Sequence, residues 1–72
     1  MAGNKTIYEE ALRKASALAW DKQWRRAIPE YQRALAEMPD DALTWSNLAT
    51  ALTETKQYAE AQNALSRALA LI

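Results

Sequence analysis

A chain of 72 residues, half of them hydrophobic, supports one small domain, and a chain this short buries proportionally less of its surface than a larger one. With no Cys and no His, disulfide frameworks, the usual zinc sites, thiol nucleophiles and imidazole bases are excluded together, and the single glycine, Gly3, leaves no glycine-rich turn to cradle a phosphate. Nine basic and nine acidic side chains cancel, which removes the long-range field that nucleic-acid and anionic-membrane binders use to hold their partners.

No stretch alternates in the manner of a strand, and Ala, Leu, Glu, Gln, Lys and Arg dominate, so the chain reads as all helix. Residues 1–7 read as an N-terminal extension and helix cap. Thr6 with Glu9 three residues on has the pattern of a capping box, and Ile7, Ala11, Ala15 and Leu18 then recur at helical spacing. A first helix is expected from about Ile7 to Trp20. The polar stretch Asp21, Lys22 and Gln23 interrupts the pattern, and Trp24, Ala27, Ile28, Tyr31, Ala34, Leu35 and Met38 resume it as a second helix.

Pro29 contradicts that second helix locally, because its missing N–H would have bonded the carbonyl of Arg25. The expectation is a kink or a loosened first turn, with the ring on the outer face. The strongest break is Met38 to Asp41, where Pro39 cannot continue a helix and is followed by two N-cap candidates, Asp40 and Asp41. Trp45, Leu48, Ala49 and Leu52 mark a third helix, Thr55 to Gln57 interrupts it, and Tyr58, Ala61, Leu65, Ala68, Leu69 and Ile72 mark a fourth. Connections this short force neighbouring helices to pack antiparallel. Glu9 with Arg13, Glu10 with Lys14, Arg26 with Glu30 and Arg33 with Glu37 are opposite charges one turn apart, a solvated-face pattern contributing about 0.2–0.5 kcal/mol each.

Residues recur at an offset of 34: Ala15/Ala49, Ala17/Ala51, Leu18/Leu52, Lys22/Lys56, Gln23/Gln57, Ala27/Ala61, Arg33/Arg67, Ala34/Ala68, Leu35/Leu69 and Ala36/Ala70, with Trp24 and Tyr58 matching as aromatics. Coiled-coil heptads or an unrelated four-helix bundle would not reproduce that offset. On these residues, from about Tyr8 to Ile72, the chain resembles the tetratricopeptide-repeat family, whose unit is a 34-residue helical hairpin. The second copy supplies Trp45, Leu48, Ala49, Leu52, Tyr58, Ala61, Leu65 and Ala68 at the family's positions. The first supplies Ala15, Leu18, Trp24, Ala27, Tyr31, Ala34 and Pro39, and departs at Ala11, where the family has Trp, and at Lys14, where it has Leu.

The resemblance implies an all-α fold, two tandem antiparallel helical hairpins (four helices) stacked as a short right-handed α-solenoid. Residues 8–41 form repeat 1, and residues 42–72 form repeat 2, which stops before its closing Pro. Independently of the family, Ala15 with Ala27 and Ala34, and Ala49 with Ala61 and Ala68, are small enough for two helix backbones to approach to about 8–10 Å. The bulky residues Trp24, Tyr31, Leu35, Trp45, Leu48, Tyr58 and Leu65 are then expected to fill the space between hairpins, with Tyr31, Leu35 and Met38 covered by the third helix.

By the same resemblance the function is that of a protein-interaction scaffold rather than an enzyme, binding a peptide or partner helix on a concave groove lined by the first helix of each hairpin. Groove positions fall on Leu12, Arg13, Ser16, Ala19 and Trp20 in repeat 1, and on Ser46, Asn47, Thr50, Thr53 and Glu54 in repeat 2. Trp20 falls where the core does not need it; it is either a binding hot spot or a ring laid over the Lys22 or Arg13 stem. Asn47 suits a partner's backbone amide and Arg13 a carboxylate. The family's clamp for chaperone C-terminal carboxylates wants Lys and Asn where this chain has Leu12 and Ser16, so binding of that kind is not expected.

Self-association is the alternative. Leu65, Leu69 and Ile72 are the counterparts of Tyr31, Leu35 and Met38 but meet the end of the chain, and leaving three such side chains in water forgoes roughly 1.5–3 kcal/mol each, so either the chain is a piece of a longer array or this face pairs with another copy. Residues 1–38 carry more basic than acidic side chains and the remainder the reverse, which also allows attraction between copies, although ordinary solvated helix faces are the simpler account. No base stands beside Ser16, Ser46 or Ser66 in the pattern, the carboxylates are scattered, and no metal, cofactor, small-molecule substrate or nucleic acid is expected. The opening residues lack the apolar core of a secretory leader and no apolar run approaches the ~20 residues of a membrane span, so the expectation is a cytoplasmic chain without a membrane partner.

Overall fold

The computed structural model describes residues 3–72, which form four helices: α1 (Lys5–Trp20), α2 (Trp24–Glu37), α3 (Ala42–Glu54) and α4 (Tyr58–Ala70). α1 pairs with α2 and α3 with α4 as two helical hairpins, and the hairpins join where α3 packs on α2. The fold is all-α, and its order follows the chain.

Small side chains make the close crossings. Ala15, Ala27 and Ala34 are 0% exposed, and Ala49, Ala61 and Ala68 are almost as fully covered, which is the requirement for backbones to touch within each hairpin. Around them Ile28, Tyr31, Leu35, Leu48 and Leu52 close one continuous core, with Leu12, Leu18, Ala19, Trp24 and Trp45 packed against its edge. Trp45 is fixed further by its indole N–H, which donates to the Pro39 carbonyl at 2.8 Å, and by the Arg67 guanidinium 5.4 Å above its ring.

The two turns within hairpins are built alike. After α1, Lys22 takes φ 58°, and after α3, Lys56 takes φ 64°, a left-handed conformation that an L side chain adopts at a cost. The N–H of Gln23 returns to the Leu18 carbonyl at 2.8 Å and that of Lys22 to Ala19 at 2.9 Å; Gln57 to Leu52 at 2.8 Å and Lys56 to Thr53 at 3.0 Å repeat the pattern 34 residues on. These paired returns are the Schellman closure, which satisfies carbonyls the ending helix would orphan.

Several expectations are corrected. The first helix begins at Lys5, not near Ile7, and its cap is Asn4, whose side chain accepts the Ile7 N–H at 3.0 Å in place of the Thr6 and Glu9 box. The start of the chain is held down instead: the Asn4 N–H donates to Glu37 at 2.8 Å, and Gly3 lies so close that a Cβ there would sit 1.7 Å from the Glu37 carbonyl oxygen. Residues 1–2 of the anticipated N-terminal extension lie outside the described residues. At the second break Asp41, rather than Asp40, caps α3.

Pro29 lies inside α2 with its ring on the exposed face, and the helix runs unbroken through it from Trp24 to Glu37. The charges also pair differently. Arg33 reaches across to Glu10 at 3.2 Å and along its own helix to Glu30 at 3.4 Å, while Glu37 is taken by Asn4 and Arg26 turns to Gln23. A neighbouring helix thus offers Arg33 a better-placed carboxylate than Glu37, one turn on in its own helix.

Three members of the anticipated inter-hairpin set are exposed: Tyr58 (61%), Leu65 (46%) and Met38 (39%). Trp24 borders Glu54 and Thr55 of the second hairpin, whereas Tyr58 and Leu65, which occupy matching or stacking positions one hairpin later, lie against no further hairpin among the described residues. Met38 is the C-cap of α2 at φ −130°, ψ 77°, so the backbone has already left the helix and turned its side chain from the core.

Candidate functional site

Within a helix, residues spaced by three or four share a face. That spacing brings Arg13, Ser16 and Trp20 together on the exposed side of α1, and Ser46, Asn47, Thr50 and Glu54 together on one side of α3. Trp20 is 91% exposed, so its ring is not laid over a neighbouring Lys or Arg stem. Leu12 is turned inward and packs against the core edge, which leaves Arg13 and Ser16 as the solvent-facing members before Trp20.

On α3, Ser46 and Asn47 are half-buried, while Thr50 and Glu54 are exposed. Thr50 and Thr53 turn their hydroxyls back to the carbonyls of Ser46 and Ala49, at 3.3 and 2.8 Å, so both donors are occupied within the helix. The helix therefore shows a partner less polarity than its composition suggests.

Ser46, Thr50 and Glu54 also line a hollow of about 180 Å³ with Ala49, Thr53 and Leu65. Residues anticipated for the groove thus share one surface with Leu65, a residue anticipated for the self-association face. Leu69 (69% exposed) and Ile72 (93%) continue that surface along and beyond α4.

Leu43 is a residue that the sequence reading did not single out. It is 69% exposed in the first turn of α3, on the face it shares with Ser46, Asn47 and Thr50. Its signal was present in the spacing, since an apolar residue three, four and seven positions before three groove candidates belongs to their stripe. A second feature unread in the sequence is a hollow of about 410 Å³ where the hairpin turns meet, with Lys22, Arg25 and Arg26 around Trp24 and with Glu54 opposite. Glu54 borders both hollows.

The titrating groups with a displaced pKa are Asp41 and Tyr8 at the junction of the hairpins and Tyr31 in the core. Burial pushes the Asp41 carboxyl up, but hydrogen bonds from the Thr44 and Tyr8 hydroxyls and from the backbone N–H groups of Thr44 and Leu43 outweigh it, and the net displacement is downward. Tyr8 is raised, first by its hydrogen bond to Asp41 and then by burial. Burial alone raises Tyr31 in the core. Among the described residues no group of three or more His, Cys, Asp or Glu is placed to hold a metal ion, and no helix is long and apolar enough to cross a membrane.

Two stacked helical hairpins with small residues at their crossings and an open face of short polar and apolar side chains define a helical-repeat interaction fold. A tetratricopeptide-repeat family model matches residues 18–71, more than half of the chain, and the protein belongs to that family. The fold is one generally associated with protein–protein interaction and generally without catalytic residues. No curated protein and no solved structure gave a match.

Proposed function

We propose that this chain is a protein-interaction module of two tandem tetratricopeptide repeats, residues 8–41 and 42–72, in which α1 and α3 line the face that receives an extended peptide or one helix of a partner. The observation that carries the reading is Trp20: a large amphipathic ring, 91% exposed, on the same helix face as Arg13 and Ser16. An aromatic anchor in that setting contributes contact area at low entropic cost, and Trp is enriched among residues that dominate binding. Leu43 supplies a second apolar contact on α3, and Asn47 a side-chain amide able to pair with a peptide backbone.

A peptide selected from a displayed library on the folded chain, then titrated calorimetrically against wild type and Trp20→Ala, tests the assignment. Loss of a hot-spot Trp corresponds to at least about 2 kcal/mol, roughly a thirtyfold weaker Kd, with the circular dichroism unchanged. Equal affinities would remove Trp20 from the site, and selected peptides that bind Trp20→Ala and Leu43→Ala as tightly as wild type would remove the face.

A second reading, self-association, is favoured by a direct internal comparison. Tyr31 and Leu35 in the first hairpin are 3% and 5% exposed, in one core cluster with residues of α3, whereas their counterparts Leu65 and Leu69 are 46% and 69% exposed. Melting that rises with protein concentration supports this reading, and a concentration-independent melt of a monomer defeats it.

A further inference from the structure

We propose that the partner peptide is acidic, and that its side-chain carboxylates enter the hollow of about 410 Å³ at the hairpin turns, where Lys22, Arg25 and Arg26 hold them. The inference rests on the peptide-binding reading above and specifies the chemistry of the ligand.

The chain as a whole is neutral, but this hollow is not: three cations line it against a single carboxylate, Glu54. Among the described residues the ion pairs are those of Arg33 with Glu10 and Glu30, so neither Glu54 nor another carboxylate is paired with Lys22, Arg25 or Arg26. Arg26 donates to the side-chain oxygen of Gln23 at 2.6 Å, a neutral acceptor that orients the guanidinium and leaves its charge uncompensated. Asp21, next to Lys22 in sequence, accepts from the amide nitrogen of the same Gln23 and is not part of the lining.

The second repeat shows that the fold does not require these cations. Its turn closes in the same way 34 residues on, with Lys56 at the left-handed position, yet Ala59 and Glu60 stand where the first hairpin has Arg25 and Arg26. Both arginines are exposed and neither joins the core cluster. Two adjacent guanidiniums are thus gathered at one turn without a part in closing it, and a guanidinium presents paired N–H donors that match a carboxylate.

The hollow also lies at the end of the face assigned to the peptide. α1 ends at Trp20, two positions before Lys22, and Glu54, the last residue of α3, borders both this hollow and the smaller one beside Ser46 and Thr50. A nucleic-acid strand or an anionic bilayer needs a positive field over a wide surface, which a chain of zero net charge does not supply. A short acidic segment anchored near Trp20 needs only the hollow.

The test is a random displayed peptide library selected on the 72-residue chain, followed by calorimetry on the selected peptides, synthesised with blocked ends so that only side-chain carboxylates are read. The expected result is enrichment in Asp and Glu, and a Kd weakened at least about tenfold both by Arg25→Glu and by replacing the acidic side chains with their amides. Lys5→Glu, the same change of charge at the other end of α1, should alter the Kd by no more than about twofold. Arg25 and Lys5 are both exposed, so neither substitution disturbs the core. Selected peptides without acidic bias, weakened by Trp20→Ala, would overturn the acidic ligand and leave the peptide-binding face standing. Acidic peptides indifferent to Arg25→Glu, or weakened as much by Lys5→Glu, would overturn the hollow as their site. A library that yields no binder would overturn the peptide-binding reading itself, and this proposal with it.

Discussion

The hydroxyl of Tyr8, at the start of α1, donates a hydrogen bond to the carboxylate of Asp41, the N-cap of α3 33 residues away. The same carboxylate accepts from the Thr44 hydroxyl and, at 3.5 Å, from the Thr44 N–H. One side chain thus starts a helix and ties the two hairpins together. Tyr8→Phe keeps the ring and removes the tie, so the expected loss is about 1 kcal/mol of unfolding free energy by urea titration. Asp41→Ala removes cap and tie together and is expected to cost more than Tyr8→Phe, roughly 1–2 kcal/mol. If Tyr8→Phe equals wild type, water satisfies Asp41 as well as the phenol does.

The same pair sets a pH dependence at both ends of the scale. Asp41 is depressed below its ordinary 3.8, so its contribution is fully present above that value and is lost as pH falls through the lower folded value. Tyr8 is raised above 10.0, so its contribution is present below 10.0 and is lost as pH rises through the higher folded value. Burial raises Tyr31 as well, so the alkaline limb is shared. Thermal melts between pH 2.5 and 5 should fall less steeply for Asp41→Asn than for wild type. Above pH 10, Tyr8→Phe should soften the limb without abolishing it. Identical acid limbs for wild type and Asp41→Asn would show that other carboxylates govern acid unfolding.

Small residues at crossings are the next dependence. Ala27 is 0% exposed where α1 and α2 meet, and a Leu there needs volume that the closed core lacks. Ala27→Leu is expected to cost about 1–3 kcal/mol, against within about 0.5 kcal/mol for Ala59→Leu on the exposed side of α4. Chemical denaturation of the two variants side by side is the measurement; equal midpoints would mean that the hairpin can splay without loss.

How much of this was legible beforehand follows from the range of each interaction. Helix number, their order and the alanines at the crossings come from periodicity and from the 34-residue offset, both properties of local sequence. Asn4 was missed as a cap because Thr6 and Glu9 satisfy an equally good local rule, and the choice between them is made by Glu37, which takes the Asn4 N–H from another helix. The Tyr8–Asp41 tie has no counterpart in the second hairpin, so the repeat could not announce it. Exposure of Tyr58 and Leu65 depends on what packs beyond them, which a position in a repeat does not encode. The surface residues of α1 and α3 were placed on a common face by spacing alone, but their hydroxyl directions, which occupy the Thr50 and Thr53 donors within the helix, required coordinates.

Lys22 and Lys56 offer the last prediction. Each sits at C′ of its helix with φ near +60°, where Gly is the usual occupant because a Cβ crowds the following carbonyl. The left-handed conformation costs an L residue roughly 1–2 kcal/mol, while Gly loses about 0.4–1 kcal/mol through the greater freedom of the unfolded chain. The balance favours Gly, so Lys22→Gly or Lys56→Gly alone should gain about 0.5–1 kcal/mol, a rise in Tm of about 4–8 °C per kcal/mol for a domain of this size. Lys56→Ala separates backbone from charge: it removes the ammonium but keeps the Cβ, and should show none of the gain. If Lys56→Ala stabilises as much as Lys56→Gly, the effect belongs to the charge and not to the left-handed turn.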